Sequence, residues 1–185
     1  MWRFLAAILA LVVVAVPAGA DPVRFHNPVL RLSATYDDTR WHVVNSADRN
    51  TVLGMIWKNK HGASLAFCAL QLAETPDASR FRGALASHKD DITLAIMADL
   101  RRMDPKAELI ESRMASIGGR DVIRLRHKAT IEGNLLFIET VETFRGADEI
   151  RFDCGYPVPM VDEAGSRLVT EEEIDGVLNS LVISP

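Results

Sequence analysis

The sequence DVIRLRHKATI at residues 121–131, the dipeptide Glu132-Gly133 and the sequence NLLFIETVETF at residues 134–144 together predict a β-hairpin. Apolar and polar side chains alternate on both sides of the dipeptide, and a two-residue turn that contains glycine is typical of a hairpin connection. After a second turn, residues 149–155 extend the hairpin into a three-stranded meander. This meander decides the fold class, because consecutive antiparallel strands form one sheet.

The segments around the meander predict an α+β domain, with a mostly antiparallel sheet and helices packed on it. Further strands are expected at residues 29–34, 41–44, 51–58, 64–72 and 108–114. One helix is expected after Ser87, where Asp90 makes a start that resembles a capping box, and Pro105 ends it. A second helix is expected to start at Thr170, with Glu173 completing its capping box.

Composition excludes several classes of protein. The chain has 185 residues, with 21 Lys and Arg against 25 Asp and Glu, so its formal net charge is −4. At 48% hydrophobic and 25% charged residues, it is not a disordered protein. The mildly acidic balance argues against a nucleic-acid-binding protein, which would need a basic stripe. Two cysteines are too few for a disulfide-dense miniprotein or a four-thiolate zinc site.

Residues 1–20 predict an export signal that is removed after Ala20. Arg3 provides the positive start, residues 4–16 form an unbroken apolar run, and an Ala-Gly-Ala sequence ends the segment. The run is shorter than the about 20 residues that span a bilayer, although an uncleaved membrane anchor is the alternative interpretation. Residues 21–185 are then expected to form a single domain in a bacterial periplasm, without a transmembrane segment.

Cys68 and Cys154 are the two cysteines of the chain, far apart in sequence and both in apolar, strand-like segments. In an oxidising compartment, an even pair of cysteines is expected to form a disulfide. The alternatives are two buried free thiols or a catalytic thiol, although neither cysteine belongs to a CxxC motif.

No motif for catalysis, metal binding or cofactor binding is found in the sequence. There is no GxSxG, SxxK, P-loop or GxGxxG motif, and there is no HExxH motif or His-x-His pair. The interpretation is that the chain has no catalytic residues, no metal and no cofactor, which favours a non-enzymatic protein. His127 alternates onto the core face of its strand, where a buried, hydrogen-bonded histidine is expected rather than a ligand or a base.

Arg124, Arg126 and Lys128 share one face of the predicted hairpin, because alternate residues of a strand point to the same side. They form a candidate binding face for an anionic ligand or a phospholipid headgroup. The alternative is a charge-paired face beneath a helix or beside acidic neighbours. In the predicted register Arg126 lies opposite or diagonal to Glu139, and such a cross-strand pair is stabilising.

Three short motifs occur around these elements. They are Trp41-His42-Val43, then Ile117-Gly118-Gly119-Arg120 before the hairpin, and finally Ile174-x-x-Val177-Leu178-x-Ser180-Leu181. In this order, the motifs resemble the PsbP-like group of α/β/α sandwich proteins, which includes small exported bacterial proteins. The resemblance implies an α/β/α sandwich and a non-catalytic accessory or binding role. It carries no functional residue over to this sequence.

One functional expectation and two alternatives follow. We expect an exported, soluble, non-enzymatic binding or accessory module that acts on an unknown protein partner at the cell envelope. The first alternative is a carrier of a small apolar or amphipathic ligand, in a concave sheet lined by residues such as Phe67, Phe137 and Phe152. The second is a hydrolase with a dispersed site, in which a histidine, a carboxylate and a nucleophile meet in a cleft.

Overall fold

A computed structural model of the protein describes residues 22–58, 64–75, 85–131, 133–157 and 169–184. The predicted export signal and its cleavage site at Ala20 lie outside these residues, as does Glu132 of the predicted hairpin turn. None of the helices in the described part of the chain is long and apolar enough to cross a membrane.

Strands dominate the described residues, and two α-helices accompany them. In chain order the elements are β1 (Val23–Asn27), β2 (Leu32–Tyr36), β3 (Trp41–Val44), β4 (Thr51–Lys58), β5 (Ser64–Glu74), a short 3-10 helix (Leu85–His88), α1 (Lys89–Met103), β6 (Glu108–Ile117), β7 (Arg120–Ile131), β8 (Asn134–Arg145), β9 (Asp148–Pro157), α2 (Glu171–Asn179) and β10 (Val182–Ile183).

Seven of the strands form one antiparallel sheet in the order β3-β4-β5-β9-β8-β7-β6. The other three form a small sheet in the order β1-β2-β10. The predicted meander is confirmed as β7, β8 and β9, with Ile131 opposite Asn134 at the hairpin end and Arg126 opposite Glu139. The α+β class and the mostly antiparallel sheet are therefore confirmed.

The two sides of the seven-stranded sheet are covered by different elements. We call the side beneath α2 and the small sheet the α2 side, and the opposite side, on which α1 packs, the α1 side. Alternate residues of each strand supply the two sides, so that Val122 of β7 joins the core with Val177 and Leu178 of α2. Ile123, the next residue along β7, packs instead against Ile92 of α1.

The predicted disulfide between Cys68 and Cys154 is confirmed. The two cysteines are directly opposite each other on β5 and β9, with Cα atoms 4.1 Å apart and an S–S distance of 2.04 Å. Both residues are buried within the core of the α2 side. The bond thus joins two neighbouring strands in the middle of the sheet that are 86 residues apart in sequence.

The first predicted strand, residues 29–34, has the wrong boundaries. Residues 28–31 form a turn, in which the Leu30 backbone N–H donates a 3.0 Å hydrogen bond to Asn27 Oδ1 and Arg31 has a positive φ of 54°. This turn divides the segment into β1 and β2. The sequence prediction therefore missed β1, and it also missed β10, whose two residues are too few to show alternation.

The two predicted helix starts have different outcomes. The capping box of α2 is confirmed, because Thr170 Oγ1 accepts a hydrogen bond from the Glu173 backbone and Glu173 Oε2 accepts one from the Thr170 backbone. The box predicted from Ser87 and Asp90 is wrong. Ser87 already lies inside the 3-10 helix that leads into α1, so the N-cap is His88, which makes no side-chain capping bond.

Candidate functional site

The predicted basic face lies on the α2 side, and its two arginines are paired with carboxylates. Arg124 Nη2 is 2.5 Å from Asp175 Oδ1 of α2, and Arg124 is itself 7% exposed. Arg126 Nε is 2.6 Å from Glu139 Oε1, and its Nη2 is 2.8 Å from Glu171 Oε1 of α2. The positive charges of both side chains are therefore compensated from the neighbouring strand and from the helix above.

Lys128 lies at the end of the same face. Its Nζ is 3.8 Å from Glu108 Oε2 and 5.6 Å from the centroid of the Phe137 ring, a cation–π distance. Beside it, Arg126 Nη2 donates a 2.9 Å hydrogen bond to the hydroxyl of Tyr156, and burial raises the pKa of that phenol to about 12. Anion binding by this face stays a prediction. An anion that bound there would have to displace the carboxylates that are already paired with Arg124 and Arg126.

A cleft of about 200 Å³ lies on the α1 side, between α1 and the strands β8 and β9, and we call it the α1 cleft. Its walls are mostly apolar, and its floor and rim are charged. The lining residues are Thr75, Asp91, Ile92, Ala95, Ile96, Asp99, Glu142, Phe144, Glu149 and Arg151. Among these described residues, carboxylates outnumber guanidinium groups by four to one.

A chain of hydrogen bonds crosses the floor of the α1 cleft. Arg151 donates from Nε to Glu142 Oε2 at 2.7 Å and from Nη2 to Glu149 Oε1 at 2.8 Å. The other oxygen of Glu149 accepts a 2.8 Å hydrogen bond from the hydroxyl of Thr75. The single guanidinium of the cleft is thus held between two carboxylates of the sheet.

One carboxylate oxygen of Glu142 has no hydrogen-bond donor in the part of the chain that the structure describes. The side chain is 1% exposed, and its Oε1 atom has no hydrogen-bond partner among the described residues. Burial raises the pKa of Glu142 well above its usual value, and the nearby Arg151 offsets only part of that effect. A buried carboxylate oxygen without a donor is costly, since it has lost water without gaining another partner.

The rim of the α1 cleft is formed by two aspartates of α1, Asp91 and Asp99, about two turns apart along the helix. Asp91 is 80% exposed and lies 4.0 Å from His88 Nδ1, and Asp99 is 55% exposed and pairs with Arg102 of the same helix. Arg102, the partner of Asp99, is exposed, whereas His88 is half-buried and lies in the 3-10 helix. Asp91 therefore adds negative charge above a floor that already has more carboxylates than guanidinium groups.

His127 lies on the α1 side and is buried, as the strand alternation predicted. The predicted hydrogen bond is wrong, because neither ring nitrogen has a partner among the described residues. The residues directly across from it on the neighbouring strands, Leu109 and Ile138, are apolar and offer no acceptor from their side chains. Burial, reinforced by the charge of Arg151, lowers the pKa of His127 to about 4.

The three phenylalanines that were expected to line a carrier cavity do not share one side of the sheet. Phe152 is completely buried in the core of the α2 side, against which Phe137 also packs. Phe67 packs on the α1 side, against a cluster that contains Met97 of α1. These residues therefore fill space on both sides of the sheet instead of forming one concave lining.

Sequence reasoning missed the α1 cleft, although one signal for it was present. Glu142 occupies the same strand face as Ile138 and Thr140, and therefore a position that the alternation assigns to the interior. A carboxylate at an interior position indicates a buried charge that needs a partner. The partner, Arg151, is directly opposite Glu142 on β9, and the predicted meander would have allowed that pairing to be derived.

Comparison with known proteins identifies the fold. No family model matches the sequence, and no curated protein matches it. Cyanobacterial PsbP (CyanoP) from Synechocystis sp. PCC 6803 is 14% identical, with a TM-score of 0.66 over 97% of this chain and 99% of that chain. The chain has a PsbP-like fold. The expectation from the three sequence motifs is thereby confirmed for the architecture.

A second structural match comes from another group of bacteria. LpqN, which is involved in cell envelope biogenesis of Mycobacterium tuberculosis, is 12% identical, with a TM-score of 0.51 over 91% of this chain and 88% of that chain. At these identities the two structures have the same fold as this chain, and the functional residues have to be derived from its own geometry.

Proposed function

We propose that this protein is an exported accessory module that binds a protein partner at the cell envelope through the α1 cleft. The observation that carries the proposal is the cleft itself, an opening with apolar walls whose carboxylates outnumber its one guanidinium. Concave apolar surfaces with a few fixed polar groups are the usual form of binding sites. The binding role is non-enzymatic in this proposal, and the cleft acts by shape and charge.

Export is part of the proposal and is supported by the disulfide. A bond between Cys68 and Cys154 persists in an oxidising compartment such as the periplasm and is rare in the cytosol. The signal-like residues 1–20 agree with this compartment, with cleavage after Ala20 and a single mature domain at residues 21–185. The occurrence of the same fold in LpqN, a protein of envelope biogenesis, is a further analogy in favour of this setting.

Site-specific photo-crosslinking in cells of the source organism tests the proposal. A photoreactive amino acid is placed at Ala95, which lines the α1 cleft, and in a matched control at Ala98, which is exposed on the same helix but does not line it. The expected result is a specific adduct with one envelope protein from position 95 and not from position 98. Equal adducts at both positions, or none at position 95, would overturn the proposal.

The mass of the recovered protein tests the export step in the same experiment. The expected mass is that of residues 21–185 with two hydrogens fewer than the reduced chain, because of the disulfide. A full-length, reduced chain recovered from the cytosol would contradict export.

A further inference from the structure

The α1 cleft has a charge pattern that defines what can bind there. We infer that it binds the alkylammonium or alkylguanidinium end of a lysine or arginine side chain, which the partner inserts between α1 and the floor of the sheet. This inference rests on the proposed function and adds the chemistry by which the partner is recognised.

The first argument is charge. Of the charged groups that line the cleft, Glu142, Glu149, Asp91 and Asp99 are carboxylates, and Arg151 is the one guanidinium. Arg151 is engaged by both Glu142 and Glu149, so the floor has one carboxylate more than it has guanidinium groups. Asp91 adds negative charge at the rim, whereas Asp99 is paired with the exposed Arg102. In a cleft with low-dielectric walls, such an excess attracts a cation more strongly than the same groups would in open water.

The second argument is the unsatisfied oxygen of Glu142. Its Oε1 atom is buried in a side chain that lines the cleft, and it has no donor among the described residues. A primary ammonium or a guanidinium supplies N–H donors to such an oxygen, and charge-assisted hydrogen bonds of this kind are the strong ones. A cation whose N–H groups reach this oxygen would therefore complete a hydrogen-bonding group that has no donor in the described part of the chain.

The third argument is the form of the cleft. Ile92, Ile96 and Phe144 provide apolar walls, against which the methylene groups of a lysine or arginine stem can pack. The volume of about 200 Å³ is small for a whole ligand, since sites for drug-sized molecules measure roughly 300–1,000 Å³. It suits a single side chain better than a free ligand of that size.

A bare metal ion is a less suitable occupant of this site. No group of three or more His, Cys, Asp and Glu side chains in the described part of the chain is arranged to hold a metal ion. The carboxylates of the cleft are spread between its rim and its floor and are separated by the apolar walls. An organic cation with an apolar stem matches both kinds of surface.

Binding of a cation should depend on pH. Burial keeps the pKa of Glu142 well above its usual value, so its carboxyl group holds a proton more readily than an exposed glutamate does. A cation stabilises the ionised carboxylate, and binding should therefore tighten as the pH rises through the raised pKa of Glu142. The charged groups around Glu142 are Arg151, Glu149 and Asp153 on β9 and Asp91 and Asp99 on α1.

Titration of the purified mature protein with n-butylammonium chloride, followed by NMR of the Ile92 and Ile96 methyl groups, tests the inference. n-Butylguanidinium is the second cationic probe, and 1-butanol is the neutral probe with the same stem. Both cations should shift these methyl signals with affinities about tenfold or more above that of 1-butanol, since a hydrogen bond to a charged group contributes more than a neutral one. Equal affinity for butanol would overturn the inference.

Two matched pairs of variants locate the binding. Glu142→Gln should weaken n-butylammonium binding about tenfold, whereas Glu111→Gln, which changes an exposed carboxylate of β6, should leave it within about twofold. Ala95→Phe should fill the cleft and abolish binding, and Ala98→Phe should not. An urea unfolding curve for each variant shows that it is folded, so a loss in the control variants as well would overturn the assignment to the cleft.

The two proposals fail separately. If crosslinks form at position 95 but neither cation binds, the proposal of a protein partner is supported, and the proposal that a lysine or arginine side chain enters the cleft is wrong. If the cations bind but no protein is crosslinked at position 95, the proposed function is wrong, and the cleft is a site for a free organic cation.

Discussion

On the α2 side of the sheet, Arg124 and Arg126 each contact one carboxylate of β8 and one of α2. On the α1 side, Arg151 contacts two carboxylates of the sheet, Glu142 and Glu149, and no carboxylate of α1. The difference comes from the helices. Residues of α2 point their carboxylates down onto the arginines, while the aspartates of α1 remain at the exposed rim of a cleft.

The two sides of the sheet therefore differ in how their buried charges are compensated. The α2 side contains the disulfide, the largest core cluster and two arginines whose charges are compensated, and it has a cleft of its own of about 280 Å³ between α2 and β2. The α1 side retains a cleft, an unsatisfied carboxylate oxygen and an unpartnered histidine among the described residues. Natural proteins commonly accept such unfavourable features at the places where they bind other molecules.

The largest effect is expected from the disulfide of the α2 side. Replacing both cysteines, Cys68→Ala with Cys154→Ala, should lower the free energy of unfolding by about 4–5 kcal/mol, since the bond closes a long loop in the unfolded chain. Urea unfolding of the oxidised protein and the double variant measures the change. Binding of n-butylammonium at the other side should stay the same. A loss below about 1 kcal/mol would show that the disulfide does not provide this stability.

The next effect compares the two arginine clusters directly. Arg151→Met should lower the free energy of unfolding by about 3–5 kcal/mol at pH 8, because it leaves Glu142 as an uncompensated buried charge. Arg124→Met should lower the free energy of unfolding by only about 1 kcal/mol, because Glu139 is still paired with Arg126 and Asp175 is half exposed.

The pH dependence provides the control for this pair. As the pH is lowered from 8, the loss of stability caused by Arg151→Met should shrink, because the raised pKa of Glu142 lets its carboxyl group take up a proton and become neutral. Urea unfolding at a series of pH values below 8 measures this change. Equal losses for the two arginines, unchanged by pH, would contradict the contrast between the sides.

His127 should make the α1 side sensitive to acid. Its pKa of about 4 in the folded protein lies below the value of 6.5 for a free histidine, so the unfolded chain binds the proton first as the pH falls. Stability is therefore complete above pH 6.5 and should decrease by about 3 kcal/mol as the pH falls to 4.

The difference between the wild type and His127→Leu isolates this contribution, because the other titrating groups are common to both proteins. Unfolding free energies measured from pH 4 to 7 should show a flatter dependence for the variant. Parallel curves would mean that His127 is protonated equally in the folded and unfolded chains.

The smallest effect compares the two helix starts. Thr170→Ala removes the confirmed capping box of α2 and should cost about 1 kcal/mol. Ser87→Ala changes an exposed residue of the 3-10 helix, which is not the N-cap of α1, and should change stability by less than about 0.5 kcal/mol. Thermal and urea unfolding check both values. A larger loss for Ser87→Ala would indicate that Ser87, and not His88, caps α1.

The strand patterns predicted much of the fold because alternation is a local property. The register of β7 and β8, the placement of Arg124 and Arg126 on one side and the buried position of His127 all follow from a period of two residues. The α1 cleft did not follow, because Thr75, Asp91 and Glu142 come from distant parts of the chain. Their proximity depends on where α1 docks, and local periodicity carries no information about that position.

The sequence by itself determined the α+β class and the antiparallel meander, and it led to the expectation of a disulfide between its two cysteines. It also determined which side chains of each strand point to the same side, since neighbouring residues in a strand necessarily face opposite ways. Only the tertiary structure decided how the charges are compensated. A buried charge is stabilised by the groups that reach it in space. The docking of α2 brings carboxylates to the two arginines of β7, while the docking of α1 leaves a cleft in which one oxygen of Glu142 has no donor among the described residues.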